Sequence, residues 1–168
     1  MVTNPQIILI DGPAGSGKTT LSLKLQREFG ANINCQVIHL DDHYNGWDEA
    51  LGSELTQTLN LVISNFLFGL PSEIETFNWY KAKFEGRKQI EPGDVLIIEG
   101  VGAGQSSIRE RATSLYWVET DSDIALKRVL DRDGQEYEER IRTWQMREAK
   151  HFKEERTREF ADFIISTA

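Results

Sequence analysis

The stretch Gly12-Pro13-Ala14-Gly15-Ser16-Gly17-Lys18-Thr19-Thr20 constrains this chain more than any other. Its spacing, Gly, four residues, Gly-Lys-Thr, is that of a phosphate-binding loop, and it carries meaning only between a strand and a helix. Both neighbours are legible. Gln6 to Ile10 is an apolar run that predicts a buried strand. From Thr19 to Phe29, Leu21, Leu25 and Phe29 recur at i, i+4 and i+8, which predicts one apolar helix face. Glycines let such a loop turn its N–H groups toward an anion, and the helix N-terminus adds free donors. Lys18 can then reach the β- and γ-phosphates of a nucleotide, and the Thr19 hydroxyl can ligate Mg²⁺.

The alternation continues along the chain. Gln36 to Leu40 predicts a second strand, followed by the polar loop Asp41 to Asp48. Ser53 is a candidate N-cap for a helix over 54–68, with Leu55, Leu59, Val62 and Phe66 on its stripe. Residues 73–90 are aromatic and basic and read as an inserted hairpin with its turn near Glu85-Gly86. Val95 to Ile98 is the most apolar strand and ends in Glu99-Gly100. Ser106 to Thr113 reads as a short helical connection and Leu115 to Val118 as a fourth strand. Asp121 can cap a helix over 122–130, broken at Asp131 to Gly134. A long helix over about 136–159 precedes a last strand, Ala161 to Ile165. The pattern predicts one α/β domain over residues 1–168, with a mostly parallel five-stranded sheet and helices on both faces. Ligands of such sheets sit beyond the C-terminal strand ends, and polar clusters follow four of the strands.

Those clusters supply the chemistry. Asp41, with Asp42 beside it, is a candidate base for an acceptor hydroxyl or a metal carboxylate, against an ordinary acidic loop. Glu99 is a candidate metal residue, against a plain strand-end carboxylate. Arg128 and Arg132 could close over a transferring phosphoryl group, against a salt-bridged helix face with Asp131 and Asp133. Tyr44, Trp47, Asp48, Phe77 and Trp79 are the candidate acceptor contacts, against core or hairpin packing of the aromatics, Trp79 above all. His39 reads as structural, and His43, His151 and Cys35 have no partner motif.

Composition narrows the partners. The net charge of −8 argues against nucleic acid, and no apolar run approaches the roughly 18 residues of a membrane span. Cys35 is the only cysteine, and no basic leader precedes the first strand; both lead to the expectation of a cytoplasmic protein. A homo-oligomer is left open.

These residues resemble the uridine kinase-like branch of P-loop kinases over nearly the whole chain. Gly12 to Thr20 resembles the family's phosphate loop, and Leu40-Asp41-Asp42-His43-Tyr44 its strand-end motif. Trp47-Asp48 is similar to an aromatic-Asp pair, and Ile97-Ile98-Glu99-Gly100 to the second strand motif. Arg128-Val129-Leu130 with Arg132-Asp133 resembles the start of the lid, placed here at about 128–147. The resemblance implies a three-layer P-loop fold, ATP and Mg²⁺, and a nucleoside-like acceptor; Lys81, Lys83, Arg87 and Lys88 keep a nucleoside monophosphate or other small metabolite open, and an ATP-binding regulatory module is the other alternative. The resemblance also implies Asp41 as the base, Tyr44 against the nucleoside and Asp48 on the ribose hydroxyls. The chain departs from the family after Phe77-Asn78-Trp79. Tyr80-Lys81-Ala82-Lys83 replaces a Ser-His-Ser-Arg segment whose histidine helps select the pyrimidine, which marks a divergent subgroup.

Overall fold

A computed structural model describes residues 4–168. Its centre is a five-stranded parallel sheet of β1 (Gln6–Asp11), β2 (Cys35–His39), β5 (Val95–Glu99), β6 (Ser114–Glu119) and β7 (Phe163–Ser166). The spatial order is β2-β5-β1-β6-β7. The first crossover is α1 (Lys18–Phe29). Between β2 and β5 the chain makes α2 (Ser53–Leu67) and the hairpin β3 (Ser72–Asn78) with β4 (Lys83–Ile90). The short α3 (Ser106–Arg109) leads to β6. Then α4 (Ser122–Asp133), α5 (Glu138–Glu155) and α6 (Thr157–Phe160) lead to β7.

The central strands β1 and β5 read as unbroken apolar runs because both faces of the sheet are covered there. Ile7 and Leu9 of β1 and Leu96 and Ile98 of β5 point to one side, against Leu59, Val62, Ile63 and Phe66 of α2. Ile8, Ile10, Val95 and Ile97 point to the other, where the Leu21-Leu25-Phe29 stripe of α1 packs. Pairing runs Ile10 with Glu99 and His39 with Glu99, so β1, β5 and β2 end level with one another. This register brings the polar clusters after β1, β2 and β5 to one edge.

Several boundaries differ from the sequence expectation for identifiable reasons. Gly52, in extended backbone, caps α2; Ser53 is the first helical residue and its hydroxyl makes no capping bond. The hairpin turns at Trp79 to Ala82, while Glu85-Gly86 lies inside β4. There two residues oppose Thr76 alone, so the glycine marks a bulge instead of a turn. The Asp121 carboxylate does cap α4, accepting the N–H groups of Asp123 and Ile124. That helix runs on through Asp131 to Asp133 and stops at Gly134, whose φ is +118°. The long charged helix is interrupted at Arg156, which takes φ +54° and separates α5 from α6. Among the described residues no helix is long and apolar enough to cross a membrane.

The phosphate loop is wedged against its neighbours. Gly12 has φ +145°, and a Cβ there would lie 2.0 Å from the Val118 carbonyl oxygen of β6. Gly12→Ala is therefore expected to lower the unfolding free energy by about 2–4 kcal/mol, combining backbone strain with overpacking. Denaturant unfolding with a wild-type midpoint would show that the loop does not approach β6 this closely.

Candidate active site

The loop between β1 and α1 surrounds Lys18, whose side chain is 8% exposed. Its ammonium donates to the carbonyls of Gly12 and Pro13, each at 2.8 Å. The charge is thus held inside the loop, with backbone carbonyls standing where phosphate oxygens would compete for it. Gly17 precedes α1 with φ +107° and no side chain caps the helix, so its first N–H groups have no side-chain acceptor.

Beside the loop stands an acidic pair of strand ends. Glu99, buried at the end of β5, accepts the Thr19 hydroxyl at 2.9 Å. The same carboxylate oxygen lies 2.6 Å from His39 Nδ1, and this hydrogen bond raises the imidazole above its ordinary range. His39 is therefore a site residue and not merely a strand residue, because its in-register partner is Glu99. Asp41 follows in a short 3₁₀ turn, Leu40–Asp42. Its tip is open to solvent, yet the surrounding protein mass raises its carboxyl through desolvation; Lys18 draws it down and Glu99 pushes it further up. Among the described residues no three acidic, His or Cys side chains form a metal cage. Thr19 and Glu99 nevertheless suit Mg²⁺, which is commonly held by one or two protein oxygens together with substrate phosphates.

The two late arginines have different surroundings. Arg132 is ion-paired with Asp133 at 2.6 Å and lies within the electrostatic reach of Asp41 and Glu99. Arg128 turns to the outer side of the loop, donating to the Gly15 carbonyl at 3.2 Å, to Thr167 Oγ1 at 3.0 Å and to the Ala168 carbonyl.

On the opposite side of Asp41 the hairpin and α5 frame an open cleft of about 690 Å³. Trp47, Phe77, Trp79 and Trp144 line it. Trp79 meets Phe77 at 5.0 Å and Trp47 at 5.3 Å between ring centroids, and its indole N–H donates to the Asp41 carbonyl at 2.9 Å. Asp48 also lines the cleft, ion-paired with Arg147 at 2.6 Å. Tyr44 departs from the expectation: it is 3% exposed, its hydroxyl donates to Val101, and its ring packs on Trp144. It backs the cleft wall instead of presenting a face to a ligand. His43 is buried under the hairpin with Nδ1 on the Glu75 carbonyl, away from the phosphate loop.

Two buried acids complete the site. The Asp11 carboxylate accepts the N–H groups of Gly12, Gly102 and Gly104, tying the phosphate loop to the glycine-rich turn after β5. Glu148 of α5 accepts the Ala14 N–H at 3.0 Å. Its signal in the sequence is an acid on the same helical stripe as Ile141, Trp144 and Phe152.

A central strand, a glycine loop closing on a helix N-terminus and carboxylates at the adjoining strand ends define a P-loop kinase-type nucleotide-binding domain. A family model described as an AAA domain matches residues 8–157, and the chain belongs to that family. Curated relatives include the uridine kinase of Brevibacillus brevis, 28% identical over 147 residues that cover 79% of this chain and 68% of that one. The uridine kinase of Latilactobacillus sakei is 26% identical, covering 96% and 85%. Among solved structures, a possible uridine kinase from Bacillus stearothermophilus superposes with a TM-score of 0.70 at 17% identity, covering 98% of this chain and 90% of that one. A D-glycerate 3-kinase from Cryptococcus neoformans superposes at 0.55 with 13% identity, covering 92% and 77%. These structural likenesses concern the fold.

Proposed function

We propose that this protein transfers the γ-phosphoryl group of MgATP to a hydroxyl of a small ring-bearing acceptor, and that the acceptor is a nucleoside. The observation that carries this reading is the aromatic cleft tied to Asp41 by the Trp79 indole, with Asp48 among its lining residues. Tryptophan and phenylalanine faces suit a planar base, and an exposed carboxylate suits vicinal hydroxyls. The names of the curated relatives agree with it.

In this reading the N–H groups of Gly15 to Thr20 and the Lys18 ammonium cradle the phosphates. Thr19 and Glu99 would hold Mg²⁺, with Asp41 contributing through water, and the chemistry supplied there would be neutralisation of phosphate charge. Asp41 accepts the acceptor's hydroxyl proton as that oxygen bonds to phosphorus and the bond to ADP breaks. Arg132 stands on the side of Asp41 and Glu99 where transferring charge develops. Arg128 secures the loop from outside.

A phosphorylated acceptor fits less well. Lys81 is paired with Glu85, Arg87 with Glu73, and Lys88 donates to the Val37 carbonyl. These three hairpin cations are engaged elsewhere, whereas Lys83 is exposed and Arg140 lines the cleft.

The test is acceptor-dependent ADP release with MgATP against nucleosides, nucleoside monophosphates and small alcohols. Nucleoside-stimulated release is expected, and Trp79→Ala should raise the acceptor KM roughly tenfold through lost aromatic contact while affecting the ATP KM little. MgATP binding without stimulation by any acceptor would favour a nucleotide-binding regulatory module instead.

A further inference from the structure

Glu148 has no part in that mechanism, yet it is among the most confined charges in the molecule. It is 4% exposed on α5 and its Oε2 takes the Ala14 N–H, which belongs to the phosphate loop itself. A buried carboxylate is costly unless it is paired or protonated. No cation lies within ion-pair distance of it among the described residues. The titratable groups that face it are Lys18 from α1, Asp11 from β1, and Tyr44 from the loop after β2.

The neighbouring residue completes the picture. Arg147 donates to the Trp47 carbonyl at 2.6 Å and pairs with Asp48, and Trp144, one turn earlier, packs on Tyr44 and Trp47. One helix therefore grips the donor loop and the acceptor loop at adjacent positions. A charge at Glu148 lies under the loop that must receive polyanionic phosphates and is coupled to the lysine that attracts them.

Resting on the nucleotide-binding reading above, we propose that Glu148 is a positioning residue of the donor site. It anchors the phosphate loop through Ala14 and sets, by the charge on its carboxylate, how tightly that loop takes a nucleoside triphosphate. When neutral it holds the loop without opposing the phosphates; when ionised it repels them and competes for the Lys18 charge.

The geometry agrees with its electrostatics. Desolvation pushes the Glu148 carboxyl up to about 7, against the opposing pull of the Ala14 N–H and Lys18. The group thus changes charge near neutrality. Because its folded value is raised, its contribution to folding is fully present below the ordinary carboxylate range and is lost as pH rises through about 7.

Calorimetric titration with MgATP at pH 6 and pH 8.5 tests this on the wild type, Glu148→Gln and Glu148→Asp. Glutamine keeps an oxygen for Ala14 and removes the charge; aspartate keeps the charge and withdraws it from Ala14. Wild-type affinity is expected to fall roughly tenfold more than that of Glu148→Gln on going to pH 8.5, the equivalent of one pKa unit of coupling. Glu148→Asp should retain pH dependence but bind more weakly at both pH values. Without nucleotide, Glu148→Gln should melt several degrees above wild type at pH 8.5 and level with it near pH 4.5. Identical pH dependence of MgATP affinity in wild type and Glu148→Gln would overturn the proposal while leaving the kinase reading intact. A folded wild type that binds no MgATP would overturn both.

Discussion

Asp41→Asn is expected to lower phosphoryl transfer by about 10²–10⁴-fold, the usual contribution of a positioned general base, while MgATP still binds. The substitution keeps shape and hydrogen-bonding reach and removes the proton acceptor. Asp41 is the right group to test because its backbone is tied to the aromatic cleft: the Trp79 indole donates to its carbonyl. Its carboxyl lies above the ordinary range, chiefly through desolvation. The acid limb of the wild-type rate should therefore begin at higher pH than for an exposed aspartate, with transfer falling as pH falls and Asp41 takes up its proton. The residual rate of Asp41→Asn should lack that limb. ADP release under saturating MgATP across pH measures both. Wild-type turnover in the variant would move the base elsewhere, with Asp42, exposed in the same turn, the first position to examine.

The donor half of this site was legible because its physics is local. A strand, a glycine loop and a helix are consecutive in sequence, and the spacing of Gly12, Gly17, Lys18 and Thr19 specifies how they meet. Asp41 and Glu99 were legible through one further step: carboxylates at the ends of parallel strands share an edge, and the β1-β5-β2 register brings Glu99 to His39 and to Thr19. What sequence reasoning missed depends on helix orientation. Whether Tyr44 faces a ligand or the core is decided by Trp144, one hundred residues later. Arg147 stands in a charged stretch that reads as a solvated helix face, yet it closes on Asp48. Arg128 and Arg132 lie four apart on α4 and read as equivalent, but Arg132 lies within the electrostatic reach of Asp41 whereas Arg128 donates to the Gly15 carbonyl. The hairpin turn was misplaced because a glycine in a strand marks a bulge as readily as a turn.

Lys18→Met is the second large effect, and its logic follows from where the ammonium now sits. Methionine fills most of the buried volume of the side chain, so the loop keeps its packing and loses one charge. Two carbonyls, those of Gly12 and Pro13, lose their donor, and a nucleotide's β- and γ-oxygens lose the cation that would leave those carbonyls for them. Removing a single preorganised donor from a charge-developing centre costs about 10²–10³-fold in rate. Lys18 serves ground-state phosphates as well as the transferring group, so the MgATP KM should rise together with the fall in kcat. Asp41→Asn, by contrast, should act chiefly on kcat, since its share in the metal site is only through water. The two variants therefore separate donor binding from acceptor activation on the same assay. Wild-type kcat and MgATP KM in Lys18→Met would refute the assignment of the loop as the phosphate site, since among the described residues Lys18 is the lysine held by the loop's own carbonyls.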